Sequence, residues 1–516
     1  MSELKQGALF TDFYELTMAQ LYFREKLHGQ KAQFEYFFRS YPDYGGHQAG
    51  YCVCAGIEPL VRWLEEVRFG PDDIAFLRTH KSSSGKELFS PDFLDWLNGR
   101  ALIDSLTLHS INEGRVIHPQ EPVIIVRGDL ADCQIIESAL LNFMNYQTLV
   151  ATKASRIHEA GAGRPLIEFG MRRAHCGAAD AGTRAALIGG ADFSSNTGIS
   201  YRLGIPPKGT HAHSLVQLYM ALGMGELEAF EAYARTFPDD CLLLVDTVNT
   251  LESGVPNAIR VFEKLKARGH KPAGIRLDSG DLAYLCVRSA QMLDKAGFPE
   301  TKIVLSNNVD ELVLLQIRDQ IRLEAPRWGV KAEGVMSRLV FGVGTRLITS
   351  RGHCALDGVY KLTAVKDSEE WKPALKISET PEKVITPGEK QVWRLYDESG
   401  MATADLICSG QEDPHSFPSP FRIFHPVRSE SSREIRPDSL SLMEPLHTPV
   451  VVNGRTAVDF PEIAALRRRK EDDLKRLDTG VKRIINPHIY HVSLSQQLWS
   501  RKKQLVRSFD HRDRNR

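Results

Sequence analysis

Cysteine is scarce. The 516 residues hold eight, and the one close pair is Cys52 with Cys54. No C-x-x-C occurs, which removes a zinc knuckle and a thioredoxin-like motif. Scattered thiols read as small buried hydrophobes in a reducing cytoplasm. An excess of one charge is also missing. Lys+Arg and Asp+Glu both number 65, so neither nucleic acid nor a membrane surface is expected as a partner. No apolar run is long enough to span a bilayer. The start, MSELKQGALFTDFYEL, has no basic stretch ahead of an apolar one, so no secretory signal is expected. There is no repeat of fixed period and no H-E-x-x-H. No G-x-G-x-x-G joins a strand to a helix, which argues against a dinucleotide-dependent dehydrogenase.

What is present changes character along the chain. At 516 residues it exceeds one compact core. The flanks read as mixed α+β. ALFTDFYELTMAQLYFREKL has helical spacing, with Thr11 or Asp12 as its cap. AQFEYFFRSYP alternates like a strand, IEPLVRWLEEVRF reads as a helix, and SLTLHSINEGRVIHPQEPVIIVRGDL reads as several short strands. Near the other end, QVWRLYDESGMATADLICS reads as a hairpin and SSREIRPDSL as a loop. PEIAALRRRKEDDLKRLD and VSLSQQLWSRKKQLVRSF read as helices, with charged runs as solvated faces and a frayed DHRDRNR tail.

The middle alternates short apolar runs with amphipathic stretches. PLIEFG, AALIGGAD, GIPPKGTH, CLLLVDTV, PAGIRLD, KIVLSNN and RLVFGVGT are the expected strands. Helices such as VPNAIRVFEKLKARG and LAYLCVRSAQMLDKAG finish at glycine. This order predicts βα units and suits a (β/α) barrel better than an open doubly wound sheet. The expected division is residues 1–125, a barrel over 126–365, and 366–516.

Each middle strand ends in polar or glycine-rich residues, and such ends share one face in parallel α/β folds. His211 and His213 of GTHAHS fall on this rim. DSGD, Asp278 to Asp281, can hold ribose hydroxyls or hydrated Mg²⁺, or Asp281 can cap the helix that follows. FGVGT offers close backbone approach at Gly342 and Gly344 and a hydroxyl at Thr345, which suits phosphate. SSNTG reads as phosphate donors or as a plain loop. Arg172, Arg173, Lys208 and Arg276 add cations, free for a phosphorylated substrate or paired with aspartates or Glu168. These residues point to a cytoplasmic barrel enzyme acting on a small phosphorylated molecule, with a histidine at its centre.

TDFYELTM, EFGMRRAH, GGADFSSN, GTHAHS, VDTVNTLESGVPNAI, IRLDSGDL, LSNNVDE, FGVGT and GVYKL resemble, in content and order, the motifs of nicotinate phosphoribosyltransferases. The resemblance runs from about Thr11 to Leu362. It implies an irregular, TIM-like (β/α) barrel in an α/β chain, with a second α+β domain built from N- and C-terminal segments. It implies a cytoplasmic homodimer with shared active sites. The implied reaction joins nicotinate to 5-phosphoribosyl 1-diphosphate, giving nicotinate mononucleotide and diphosphate for NAD biosynthesis. ATP is a co-substrate, hydrolysed through a phosphohistidine, and Mg²⁺ or Mn²⁺ is required.

By the same resemblance, His213 is the phosphorylated residue, and Tyr14, Thr210 and Arg276 contact nicotinate, Tyr14 from the partner subunit. Thr345 contacts the phosphoribosyl donor, with Gly344, Arg172, Asp278, Asp281 and Asn307 near it. His211 is expected to be a supporting residue. CGAADAGTRAA after RRAH departs from the family pattern, placing Cys176 where a glycine is expected. The rivals are nicotinamide phosphoribosyltransferase, the shorter quinolinate enzyme, and a silent nucleotide-binding homologue; retention of His213 and Arg276 weighs against the last.

Overall fold

A computed structural model describes residues 6–376, 384–428 and 430–514. The chain divides into two compact units, Val150–Cys354 and Met1–Leu149 with Ala355–Arg516. The first is narrower than the 126–365 span expected for the barrel, because the Ile124–Asp129 and Gly358–Asp367 strands pair within the other unit.

The Val150–Cys354 unit is built on six strands: β1 (Leu166–Glu168), β2 (Phe193–Ser194), β3 (Leu242–Leu244), β4 (Gly274–Leu277), β5 (Lys302–Leu305) and β6 (Leu339–Val343). They form one sheet in the order β2-β1-β6-β5-β4-β3, with every pair parallel. Neighbours in this order are neighbours around a ring, and only a β2–β3 pairing would close it. The sheet is therefore a half-barrel, open in its ladder between β2 and β3. Helices follow the strands, among them Val255–Ala267 and Leu282–Lys295. Both stop before a left-handed glycine, Gly269 at φ +86° and Gly297 at φ +81°, as the sequence led us to expect.

Two of the seven expected strands are not strands. AALIGG lies in the helix Cys176–Gly189, and the strand follows it at Phe193–Ser194. The alanine-rich run Ala178–Ala186 favours helix, and burial on all sides hid its periodicity. GIPPKGTH is an extended segment without a ladder. Pro206 and Pro207 carry no N–H to donate, so this piece cannot join a sheet interior.

The second unit holds two larger sheets. One runs in the order Glu370–Pro373, Gly358–Asp367, Lys31–Phe38, Ile124–Asp129, Thr107–Ile111, His447–Val452, Arg455–Thr456. Three N-terminal strands form its centre and C-terminal strands flank them on both sides, so neither set could complete the sheet alone. The other contains the expected hairpin, Lys390–Asp397 against Ala402–Ser409. SSREI is a strand here, Ser432–Ile435, paired with Phe421–Phe424. VSLS is also a strand, Val492–Ser495, ahead of the helix Gln496–Arg514; residues 515–516 of the tail expected to fray lie outside the described residues. The charged helix Ile463–Lys475 is not simply a solvated face, because Lys470 and Asp473 are buried.

Candidate active site

The opening in the half-barrel is where His211 and His213 lie. The Ile205–Ala212 segment is tied to the strands on either side by individual bonds instead of a ladder. Lys208 N–H donates to Ser194 O of β2 at 2.9 Å. On the other side the Thr210 hydroxyl donates to Leu242 O of β3. His211 Nε2 accepts the Leu244 N–H at 3.0 Å. An accepting Nε2 places the proton on Nδ1, which faces Ala212 O at 3.3 Å. Burial holds His211 below the ordinary imidazole range, in keeping with this neutral form. His211 is thus buried rather than on the surface, and its ring takes the place of a missing strand partner.

His213 begins the helix His213–Ala221 and remains partly exposed. Its Nε2 lies 3.1 Å from Asp246 Oδ1. Asp246 follows β3, and its Oδ2 accepts the Asp278 N–H at 3.1 Å and the Ser279 hydroxyl. Asp278 in turn accepts the Ser306 hydroxyl on Oδ1 at 2.6 Å and lies 3.2 Å from Arg276 Nη2. Arg276 Nε donates to Ser306 Oγ at 2.9 Å. A continuous polar chain therefore joins His213, Asp246, Asp278, Ser306 and Arg276 across the ends of β3, β4 and β5.

Beside this chain is a cavity of about 280 Å³, lined by Phe169, Arg172, Thr210, His211 and Arg276 among others. The Arg276 guanidinium lies 5.3 Å from the Phe169 ring centre. Phe169 also explains Gly342, read from the sequence as an approach point for phosphate. A Cβ there would come within 2.4 Å of the Phe169 ring, so the glycine makes room for the aromatic side chain.

The other expected residues are placed as follows. Asp281 is the N-cap of Leu282–Lys295, accepting Tyr284 N–H at 3.1 Å and also bonded by Gln320 at 3.0 Å. Asn307 is exposed at the end of β5 in a left-handed conformation, φ +94°, followed by Asn308 at +53°. Two such non-glycine residues in succession are uncommon. Gly344 and Thr345 follow β6, Thr345 exposed at the first turn of a short helix. In SSNTG, Asn196 caps Thr197–Arg202 and Ser194 bonds Glu168, while Ser195 lines the cavity. Glu168 is buried and satisfied by Thr183, Ser194 and the Gly170 N–H, so it is not the partner of Arg172 or Arg173. Cys176 is exposed at the start of its helix, Sγ 3.4 Å from His175 Nδ1. Tyr14 belongs to the other unit, exposed on the helix Phe13–Arg24; burial of its hydroxyl, then Glu137 and Glu15, raise that hydroxyl above the ordinary phenol range.

Ser306 and Phe169 were not singled out as site residues from the sequence. Each sits at a strand end on the same rim, and that position was the available signal. No group of three or more His, Cys, Asp or Glu residues arranged to hold a metal ion occurs among the described residues.

This geometry can be set beside known proteins. Family models described as the nicotinate phosphoribosyltransferase N-terminal and C-terminal domains match residues 9–145 and 389–502. The chain is similar to nicotinate phosphoribosyltransferase of Bacillus subtilis, 38% identical over 500 residues, covering 97% of this chain and 95% of that one. The chain belongs to the nicotinate phosphoribosyltransferase family. The relative of that name from Caenorhabditis elegans is 30% identical, covering 95% of this chain and 92% of its own. Among solved structures, human nicotinic acid phosphoribosyltransferase superposes with a TM-score of 0.77 at 28% identity, covering 96% of this chain and all of that one. Membership in the nicotinate phosphoribosyltransferase family agrees with the half-barrel and with the sheet unit assembled from both ends of the chain.

Proposed function

We propose that the chain joins nicotinate to 5-phosphoribosyl 1-diphosphate, giving nicotinate mononucleotide and diphosphate, in NAD biosynthesis. The observation that carries this reading is the cavity holding Arg276 and Phe169, linked by hydrogen bonds to His213. The Arg276 guanidinium suits the nicotinate carboxylate, and Phe169 suits its ring. Nε and Nη2 of Arg276 are held by Ser306 and Asp278, which fixes the plane of the fork before substrate arrives. Thr210 is the second nicotinate contact; with its hydroxyl turned to Leu242 O, its main chain is the part that faces the acid. Tyr14 reaches the ring from a second copy in a homodimer.

The pyridine nitrogen attacks C1 of the ribosyl group as the C1–O bond to diphosphate breaks. Arg172, Gly344, Thr345, Asp278 and Asn307 are the proposed contacts of the phosphoribosyl donor; Asp281 supports them from its helix cap. Magnesium, when bound, offsets phosphate charge. The residues fit an ion carried mainly on phosphate oxygens and water, since Asp246 and Asp278 already accept protein donors.

ATP is the proposed co-substrate. With the His213 proton on Nε2 and donated to Asp246, Nδ1 keeps a lone pair. Nδ1 attacks the γ-phosphorus, the bond to the β–γ bridging oxygen breaks, and ADP leaves. Asp246 offsets the charge gained by the ring. Water later cleaves the N–P bond, returning phosphate and free His213. The cytoplasm is the proposed compartment, in keeping with the free state of the cysteines.

The test is mononucleotide formation from nicotinate or nicotinamide, with and without ATP, by wild type and His213→Ala. The expected result is product from nicotinate, raised by ATP, with the rise lost in the variant by about a hundredfold or more. Product from nicotinamide instead would overturn the substrate. No product from folded protein would overturn the enzyme reading.

A further inference from the structure

The sheet unit contains a cavity larger than the one beside Arg276. It measures about 490 Å³, within the ~300–1,000 Å³ typical of small-molecule sites. Arg433, Arg483, His488 and His491 line it, with Tyr490 and Ile489. Arg433 comes from the strand Ser432–Ile435; the others come from the loop and strand start between residues 480 and 492.

Two carboxylates also line the cavity, yet neither pairs with the two arginines. Asp397 Oδ1 accepts Ser399 N–H at 2.9 Å, the Ser399 hydroxyl at 2.6 Å and Met401 N–H at 3.0 Å. Asp478 Oδ1 accepts Gly480 N–H at 2.7 Å. Both are bound into their own turns. The arginines instead touch neutral oxygens: Arg433 Nη2 meets Thr403 Oγ1 at 3.0 Å, and Arg483 Nε meets Gly480 O at 3.2 Å. Among the described residues, neither forms an ion pair. Burial, then the charges of Arg433, His488 and Arg428, hold His491 below the ordinary imidazole range, as expected where positive charge lacks a counterion.

The wall behind is firmly placed. The Tyr490 ring stacks on His118 at 3.9 Å, and its hydroxyl donates to buried Asp405 at 2.9 Å. A concave surface with two unpaired guanidiniums, two imidazoles and a fixed aromatic wall is suited to a multiply charged phosphate group. We propose that this cavity is a second anion site, taking the diphosphate or triphosphate moiety of a small molecule. It uses none of the residues assigned to nicotinate or to the phosphoribosyl donor.

Calorimetric titration of the full chain with inorganic triphosphate, without divalent metal, tests this. Wild type should show a class of binding that weakens at least tenfold in Arg433→Gln/Arg483→Gln and persists in His213→Ala. Ile489→Asp provides a second variant, since Ile489 is 62% exposed and tolerates substitution without loss of core. Its added carboxylate should weaken the same class. The matching class of adenosine triphosphate binding should weaken in parallel, because the phosphates carry recognition, while nucleotide binding at His213 remains. Isotherms unchanged in both cavity variants would overturn the proposal, as would binding of the nucleotide with none of inorganic triphosphate.

Discussion

Aspartates serve different ends in the two units. In the half-barrel, Asp246 and Asp278 lie just beyond strand ends, bonded to hydroxyls, an N–H, a histidine and one arginine. In the sheet unit, Asp405 and Asp473 are held by buried Arg394, which grips Asp405 with two bonds of 2.8 and 2.7 Å and reaches Asp473 at 3.2 Å. Arg115 extends that cluster, 2.9 Å from Asp473 and 2.8 Å from Glu444. Burial pushes the Asp405 carboxyl up, but the Arg394 fork overrides it and holds Asp405 below the usual carboxylate range. One arrangement leaves charge in reach of a ligand. The other spends it joining segments distant in sequence. Both sets are built on aspartates, so position, not residue type, separates a carboxylate at the candidate site from one that joins segments.

The contrast can be broken most sharply at Arg394. Arg394→Met leaves Asp405 and Asp473 short of their buried partner and should cost about 3–5 kcal/mol of stability, read as a lower denaturation midpoint. A small change there would mean that the cluster is not structural. At the other pole, Asp246→Asn should lower the ATP stimulation of product by about a hundredfold while shifting the melting temperature little. Equal losses of activity and stability would erase the distinction. Arg276→Lys keeps charge but loses the fork, and should raise the KM for nicotinate about tenfold with a smaller effect on kcat.

The smallest expected effect concerns Glu15, in the sheet unit. Burial pushes its carboxyl from about 4.5 up to about 8, against the pull of Ser138 and with a push from Glu137 and Asp12. The folded state then holds the proton more tightly than the unfolded chain. The stability this contributes is complete below about 4.5 and is lost as pH rises through about 8. Glu15→Gln should therefore gain on wild type by about 1 kcal/mol between pH 7 and pH 8, seen by thermal melts at both values. A pH-independent difference would place the Glu15 carboxyl in its ordinary range.

Much of the half-barrel was legible because each strand run ended in turn or polar residues, as at CLLLVDTV and PAGIRLD. AALIGGAD misled because a helix buried all round has no polar face to set its period. The unit boundary left no signal, since residues 149 and 150 fall inside the helix Glu137–Ala160. His213, Thr210, Arg276 and Arg172 were named as candidates through motifs. Asp246 was harder, because its role depends on a bond between residues 33 positions apart. Buried Arg394 and Asp473 were out of reach for the same reason: their partners come from strands and helices that only the fold brings together.

The paired prolines at 206 and 207 have a consequence for motion. Amide protons in a strand exchange with solvent only when the ladder opens, whereas those of residues 208–212 are held by single links or none. Deuterium should enter this piece well before it enters β3 or β4. The stretch that carries the histidine can thus shift by breaking the Lys208, Thr210 and His211 bonds alone, leaving the six-stranded sheet intact. The half-barrel holds Arg276 on a strand paired on both sides, whereas the seam at residues 205–212 is tied to its neighbours by single bonds.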